Sequence, residues 1–337
     1  MSLGGVRATH RAVSERAVAD RIEPPPLRMR RILADRVHRQ ISRSRTLSQA
    51  YLSSLSFVCR NLAPATFTDK AAAVVSRPYW PKIQFRPRRV TVGLNTELWI
   101  TPHIGSLTWE ALFQRRLSYE RPVFSWLETA AIDHYDAVVE IGANVGLYTV
   151  FLRVLTQRAG NHRLRRVISF EPSATAFAQL AENLACNGLM AADAFPLAVA
   201  AQSGFQTLYE PAGHLTNGSL VEDFARIFSS TVTKTAVFAV TPDQLEDLLR
   251  EHERVLFKID VEGYEPKLLP AFAGLVARRR PDFLIEVLDG AADLLEAIGF
   301  LAGYERFLIE DGGPARHDHL FADPAHRDWL LRAPEGV

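Results

Sequence analysis

A chain of 337 residues with 47% hydrophobic residues is long enough for one large α/β domain with extensions, and its formal charge of +1 gives no general reason to bind nucleic acid. No apolar run approaches eighteen residues, which excludes a transmembrane helix. Cys59 and Cys186 stand in no metal or redox spacing and read as free thiols of a reducing compartment, so a cytoplasmic protein is expected.

Charge is unevenly spread. Residues 1–60 carry twelve arginines, no lysine and four acids, Glu15, Asp20, Glu23 and Asp35, with a Pro24-Pro25-Pro26 break. That composition is like a transit peptide, and it also suits a phosphate or anionic membrane surface. The favoured reading is a flexible, basic extension over residues 1–45, with partial helix expected over 28–60. Residues 46–136 are expected to be a lead-in and cover region. Within it, 88–92 and 97–100 read as a hairpin, and 109–117 and 122–131 as helices, the second with proline first.

From Ala137 the pattern sharpens. Ala137-Val138-Val139-Glu140-Ile141 is a short apolar run that suits a buried strand. Gly142-Ala143-Asn144-Val145-Gly146 follows as a tight loop, in which the glycines allow close approach of a ligand and Asn144 tolerates left-handed backbone. Leu147, Val150, Phe151, Val154 and Leu155 then share one helical face, and Gly160-Asn161 stops the helix. A second strand, 167–170, delivers Glu171, the place where such βαβ units set an acid for ribose hydroxyls. Glu140 ends a buried strand, which is costly without a cation or donor. A pyrophosphate would be repelled there, whereas the amino group or sulfonium of S-adenosylmethionine would be attracted.

Ser173 caps the next helix, with Phe177, Leu180, Ala181 and Leu184 inward and Asn187-Gly188 as its end. Residues 194–199 read as a third strand, 205–209 and 237–240 as short strands, and 213–219 as a polar loop. Thr241-Pro242-Asp243-Gln244 forms a capping box ahead of Leu245, Leu248 and Leu249. Strand 254–259 delivers Asp260 and Glu262, and strand 281–288 holds Glu286 within an apolar run. A helix through Leu294, Leu295 and Ile298 ends at Gly299. Residues 307–309 and 320–321 read as a closing hairpin with His317-Asp318-His319 near its tip, where solvated side chains are favoured over a metal site.

The strings Glu140-Ile141-Gly142-Ala143-Asn144-Val145-Gly146, Phe170-Glu171-Pro172 and Lys258-Ile259-Asp260-Val261-Glu262-Gly263-Tyr264-Glu265 together resemble the FkbM family of S-adenosylmethionine-dependent methyltransferases. The resemblance spans roughly residues 119–286. Where the family more often has Asp, this chain has Glu140, one methylene longer; where it usually shows T-L-D, this chain has Thr241-Pro242-Asp243. The resemblance implies a Rossmann-like class I methyltransferase sheet over residues 137–337, mostly parallel with a closing antiparallel hairpin. It implies S-adenosylmethionine held by Glu140, Gly142, Asn144, Gly146, Glu171 and Ala198, the last beside the adenine. It also implies acceptor contacts from Tyr119, which matches a position before the family's glycine loop, and from His214, Asn217 and Ser219.

Methyl transfer to a hydroxyl needs alignment and a place for the proton. Asp260 and Glu262 stand where that help is needed, and Asp260, Glu262 and Glu286 are the ligand set if a divalent cation is used; the metal-free case is favoured. Glu265 reads as a helix-terminus charge. The expected activity is O-methylation of a small-molecule, sugar or glycan hydroxyl. The rival readings are an NAD(P)-dependent oxidoreductase, disfavoured by Glu140 and the G-x-N-x-G loop, and a non-catalytic binding protein using the basic N-terminal segment.

Overall fold

The computed structural model describes residues 25–62, 80, 83, 85–103, 106–158, 162–214 and 216–334. Residues 1–24 of the expected extension, the Gly160-Asn161 helix stop and Leu215 of the polar loop lie outside the described residues. The chain divides into two compact units, Met1–Phe85 with Leu112–Gln114, and Arg86–Ala111 with Arg115–Val337.

In the first unit, helix α1 (Pro25–Ser42) begins at a proline, whose fixed φ suits a first helical turn. It occupies much of the stretch expected as an extension. Ser44 then caps α2 (Arg45–Asn61), its hydroxyl accepting from the amide of Leu47. His38 bonds the hydroxyl of Tyr51 at 2.9 Å, and Tyr51 stacks on Trp80 at 5.8 Å.

The second unit opens with the expected hairpin, β1 (Arg88–Val92) and β2 (Thr96–Ile100). The 109–117 helix is instead a 3-10 segment, Leu107–Leu112. Helix α3 (Arg121–Trp126) runs on through a π-helical turn, Leu127–Ala131, to His134.

The main sheet is built on β3 (Ala137–Ile141), β4 (Arg166–Phe170) and β5 (Ala194–Phe195), with helices α4 (Leu147–Gln157) and α5 (Ala174–Cys186) between them. Three further strands follow a different path. β6 (Ala198–Val199), β7 (Gly204–Pro211) and β8 (Val232–Val240) form a separate sheet in the order β6-β8-β7, with α6 (Glu222–Phe228) in the β7–β8 connection. The third strand expected over 194–199 is therefore two strands in two sheets. Pro196 separates them, having no N–H to continue a ladder. The main sheet resumes with β9 (Val255–Ile259), β10 (Asp282–Glu286), β11 (Glu305–Glu310), β12 (Gly313–His317) and β13 (Asp328–Arg332).

Its order is β12-β11-β13-β10-β9-β3-β4-β5, parallel from β10 to β5 and antiparallel beyond. The closing hairpin pairs 305–310 with 313–317, not with 320–321, because β13 inserts between β10 and β11. The segment after the capping box, Pro242–Leu249, is 3-10 in form, with the box intact.

Both faces of the sheet are covered, as a parallel sheet requires. Ala137, Val139, Ile141, Phe257, Phe283 and Ile285 pack on one side. Val138, Val167, Leu256, Leu284 and Leu330 pack on the other, against α3, α4 and α5. This second face changes character at the carboxyl edge. There the register sets Glu140 beside both Ser169 and Lys258, and Glu286 beside Asp328.

Candidate active site

The glycine loop after β3 is shaped by what it must avoid. Gly142 has φ +85°, and a Cβ there would collide with the carbonyl oxygen of Asp260. Its amide and that of Ala143 each donate to the carbonyl of Phe170 at 3.0 Å, which ties the loop to the end of β4. Asn144 takes φ +51°, as expected for an asparagine in left-handed geometry. Gly146, at φ +78°, precedes α4 and packs on Leu180.

Glu171 is clamped rather than free. Its two carboxylate oxygens accept from the amides of Asn144 and Ser173, each at 2.7 Å. Burial pushes its pKa up to about 7 although both amides pull the other way. Because β4 and β9 flank β3, Glu171 and Asp260 stand on opposite sides of the glycine loop.

Between them opens a cavity. Gly142, Asn144, Phe170, Glu171 and Pro172 line one part, and Ala198, Val199 and Leu208 of the small sheet another. Thr216, Ser219, Asp260, Glu262 and Tyr264 complete it. The polar loop is tied down on both sides: the side-chain amide of Asn144 donates to the carbonyl of Thr216 at 3.1 Å, and the Ser219 hydroxyl donates to the carbonyl of Glu262 at 2.7 Å.

Of the expected site residues, Gly142, Asn144, Glu171, Ala198, Ser219, Asp260 and Glu262 thus line one cavity. Five do not. Glu140 is 1% exposed, accepts a short hydrogen bond from Thr149, and has its pKa pushed up to about 7 by burial. It is buried beside the cavity and is not among the residues that line it. Gly146 serves the helix start. Tyr119 packs against the core, and burial drives its phenol well above its ordinary range. His214 is exposed, 5.8 Å from the ring of Phe228, and Asn217 accepts from the hydroxyl of Thr216.

The acids form a graded set. Asp260 accepts from the ammonium of Lys258 at 2.8 Å. Glu262 has left-handed backbone, φ +54°, and burial with Asp260 and Glu286 nearby pushes its pKa well up. Glu286 rises to about 8 through burial and the charge of Asp260, with Arg327 at 3.4 Å opposing. Glu265, expected as a helix-terminus charge, stands in the first turn of its helix and accepts from the amide of Val261 at 2.8 Å, and burial lifts it to about 7. Among the described residues no three His, Cys, Asp or Glu side chains come together as a metal-holding group, so Asp260, Glu262 and Glu286 do not form one.

Sequence reading gave no role to Lys258, Tyr148 or Asp328. Lys258 is 5% exposed, and its ammonium lies 4.4 Å from the centre of the Tyr148 ring, whose hydroxyl donates to Glu120. A signal for Lys258 was present: it is a charge within the otherwise apolar run Val255-Leu256-Phe257-Lys258-Ile259, as Glu140 is within its own.

A sequence model of the methyltransferase FkbM domain matches residues 140–308. No curated protein matches the chain. Among solved structures, it is similar to the methyltransferase FkbM from Methylobacillus flagellatus KT, at 15% identity and a TM-score of 0.36, over 63% of this chain and 46% of that one. It thus spans about half the length of that relative. An rRNA methylase from Streptococcus thermophilus is similar at 14% identity and a TM-score of 0.35, over 65% of this chain and 100% of that one. An O-methyltransferase from Bacillus cereus, solved with SAH, is similar at 12% identity and a TM-score of 0.31, over 64% and 80% of the two chains.

Proposed function

This chain belongs to the FkbM methyltransferase family, and we propose that it is an S-adenosylmethionine-dependent O-methyltransferase acting on a hydroxyl of a small molecule, sugar or glycan. The observation that carries the reading is the pair of carboxylates set on either side of a glycine loop whose Gly142 has no room for a Cβ.

The residues present fit the cofactor. Glu171 keeps lone pairs for ribose hydroxyls after its two amide bonds. Phe170, Ala198, Val199 and Leu208 offer an apolar surface for a purine. The side-chain oxygen of Asn144 is buried with no partner of its own, an acceptor awaiting a donor such as an ammonium. When bound, S-adenosylmethionine supplies an electrophilic methyl group and carries its own leaving group.

What remains for the protein is alignment and a proton. Asp260 lines the cavity and accepts the proton of the acceptor hydroxyl as its oxygen attacks. Glu262, its pKa already raised, is suited to hold a proton and donate a hydrogen bond to a second acceptor hydroxyl. The polar loop carrying Thr216 and Ser219 borders the same space and offers its hydroxyls to the acceptor.

Thermal unfolding tests the reading. S-adenosylmethionine or S-adenosylhomocysteine at a hundred times its dissociation constant adds about 2.7 kcal/mol of stability, and NAD should add none. A larger shift with NAD would overturn it.

A further inference from the structure

Lys258 is a buried cation that the steps above leave without a task. The charged or titratable groups around it are Glu120 ahead of α3, Glu140 on β3, Tyr148 on α4, Asp260 and Glu262 after β9, and Asp328 on β13. Two contacts fix its ammonium, the carboxylate of Asp260 at 2.8 Å and the face of Tyr148 at 4.4 Å. Tyr148 is fixed in turn by Phe124, stacked at 4.2 Å, and by its bond to Glu120. Glu120 holds a left-handed backbone, φ +41°, a strain of about 1 kcal/mol or more that puts its carboxylate in place. Burial alone would strip the proton from Lys258, but Asp260, Glu120 and Glu140 hold it on and raise its pKa.

Asp260 and Glu262 both line the cavity; Asp260, the one that accepts from the Lys258 ammonium, lies on the side of the glycine loop away from Glu171. A cofactor whose ribose hydroxyls were held by Glu171 would present its sulfur end to Asp260 across the glycine loop. Resting on the cofactor reading above, we propose that Lys258 is a positioning residue, which orients the Asp260 carboxylate into the cavity and balances it there as an anion. That anion attracts the positively charged sulfonium of S-adenosylmethionine and not the neutral thioether of S-adenosylhomocysteine, so the site favours substrate over product. Without Lys258, the Asp260 carboxylate loses the 2.8 Å contact that orients it into the cavity, and the preference is lost with it.

Calorimetric titration of both ligands tests this without an acceptor. The readout is the ratio of the two dissociation constants, which a merely structural role would leave unchanged. Lys258→Met should shift the ratio about tenfold towards the product, the size expected of a nearby partly screened charge. Lys258→Arg should restore most of it. In an Asp260→Asn background, Lys258→Met should move the ratio no further. Equal weakening of both ligands with the ratio unchanged overturns the proposal, as does a shift that persists in the Asp260→Asn background. If Lys258→Met does not fold, the ratio in Asp260→Asn alone decides, and a wild-type value overturns it. Failure of the wild-type protein to bind either ligand overturns the cofactor reading itself.

Discussion

Glu171 and Asp260 are carboxylates of the same cavity with opposite surroundings, one held by backbone amides and the other by an ammonium. Glu171 has its pKa raised to about 7 by burial, so at neutral pH the ligand-free protein holds it partly protonated. Ribose hydroxyls donate to the ionised form, and binding must therefore release the proton. Affinity for S-adenosylhomocysteine should fall as pH drops below about 7, by up to about tenfold per unit, and Glu171→Gln should bind more weakly with that dependence gone. Titrations between pH 5.5 and 8 check both; a slope that survives in Glu171→Gln would assign it to another group. Asp260→Asn acts on the other step. It removes the charge while keeping the shape, and turnover with a hydroxyl acceptor used by the wild type should fall by roughly two to four orders of magnitude. Unchanged turnover would remove Asp260 from the mechanism.

Elements set these residues in place, and their backbone is as demanding as their side chains. Gly142→Ala puts a Cβ at φ +85° against the carbonyl of Asp260, which sits on a strand end and cannot retreat. We expect a loss of more than about 2 kcal/mol in denaturant titration and no cofactor response. Gly213→Ala, at a similar φ of +82° but with open space around it, should cost about 1 kcal/mol or less and keep the response. Equal losses would mean that conformation, not the close approach, makes Gly142 necessary. The loop, β3, β4, β9 and β10 were legible because buried parallel strands are short apolar runs, and each ends on the residue that matters. Pairings between distant segments were not legible. Nothing local to Asp328–Arg332 says that it inserts beside β10. The register that sets Glu140 against Lys258 joins residues more than a hundred positions apart, which is why the buried cation beside Glu140 was not read from the sequence. The run over 194–199 carried its own warning in Pro196, whose missing N–H divides it between two sheets.

At the scale of the whole molecule, burying so many carboxyls for one site leaves a mark on stability. Glu140, Glu171 and Glu265 rise from 4.5 to about 7, and Glu286 to about 8, with burial the first cause in each. A group whose pKa is higher folded than unfolded binds more protons in the folded state between the two values. Its contribution is full below about 4.5 and is lost as pH rises through about 7 to 8. Carboxyls held low act in the opposite window: Glu222 beside Lys234 and Arg226, and Asp323 under the amides of His326 and Ala325, contribute above their unfolded values and are lost as pH falls through the lower ones. The ligand-free protein should therefore be most stable near pH 5, and its melting temperature should fall by several degrees between pH 5 and pH 8. The four raised acids all feel the charge of Asp260, so their effects will not add. Glu140→Gln makes the test specific. It keeps an acceptor for Thr149 and removes an ionisation, so it should flatten the decline between pH 5 and 8 while leaving the acid limb alone. A wild-type melting temperature that climbs over this window would mean that these carboxyls are ionised in the folded protein and that Lys258 neutralises more of the cluster than its geometry implies.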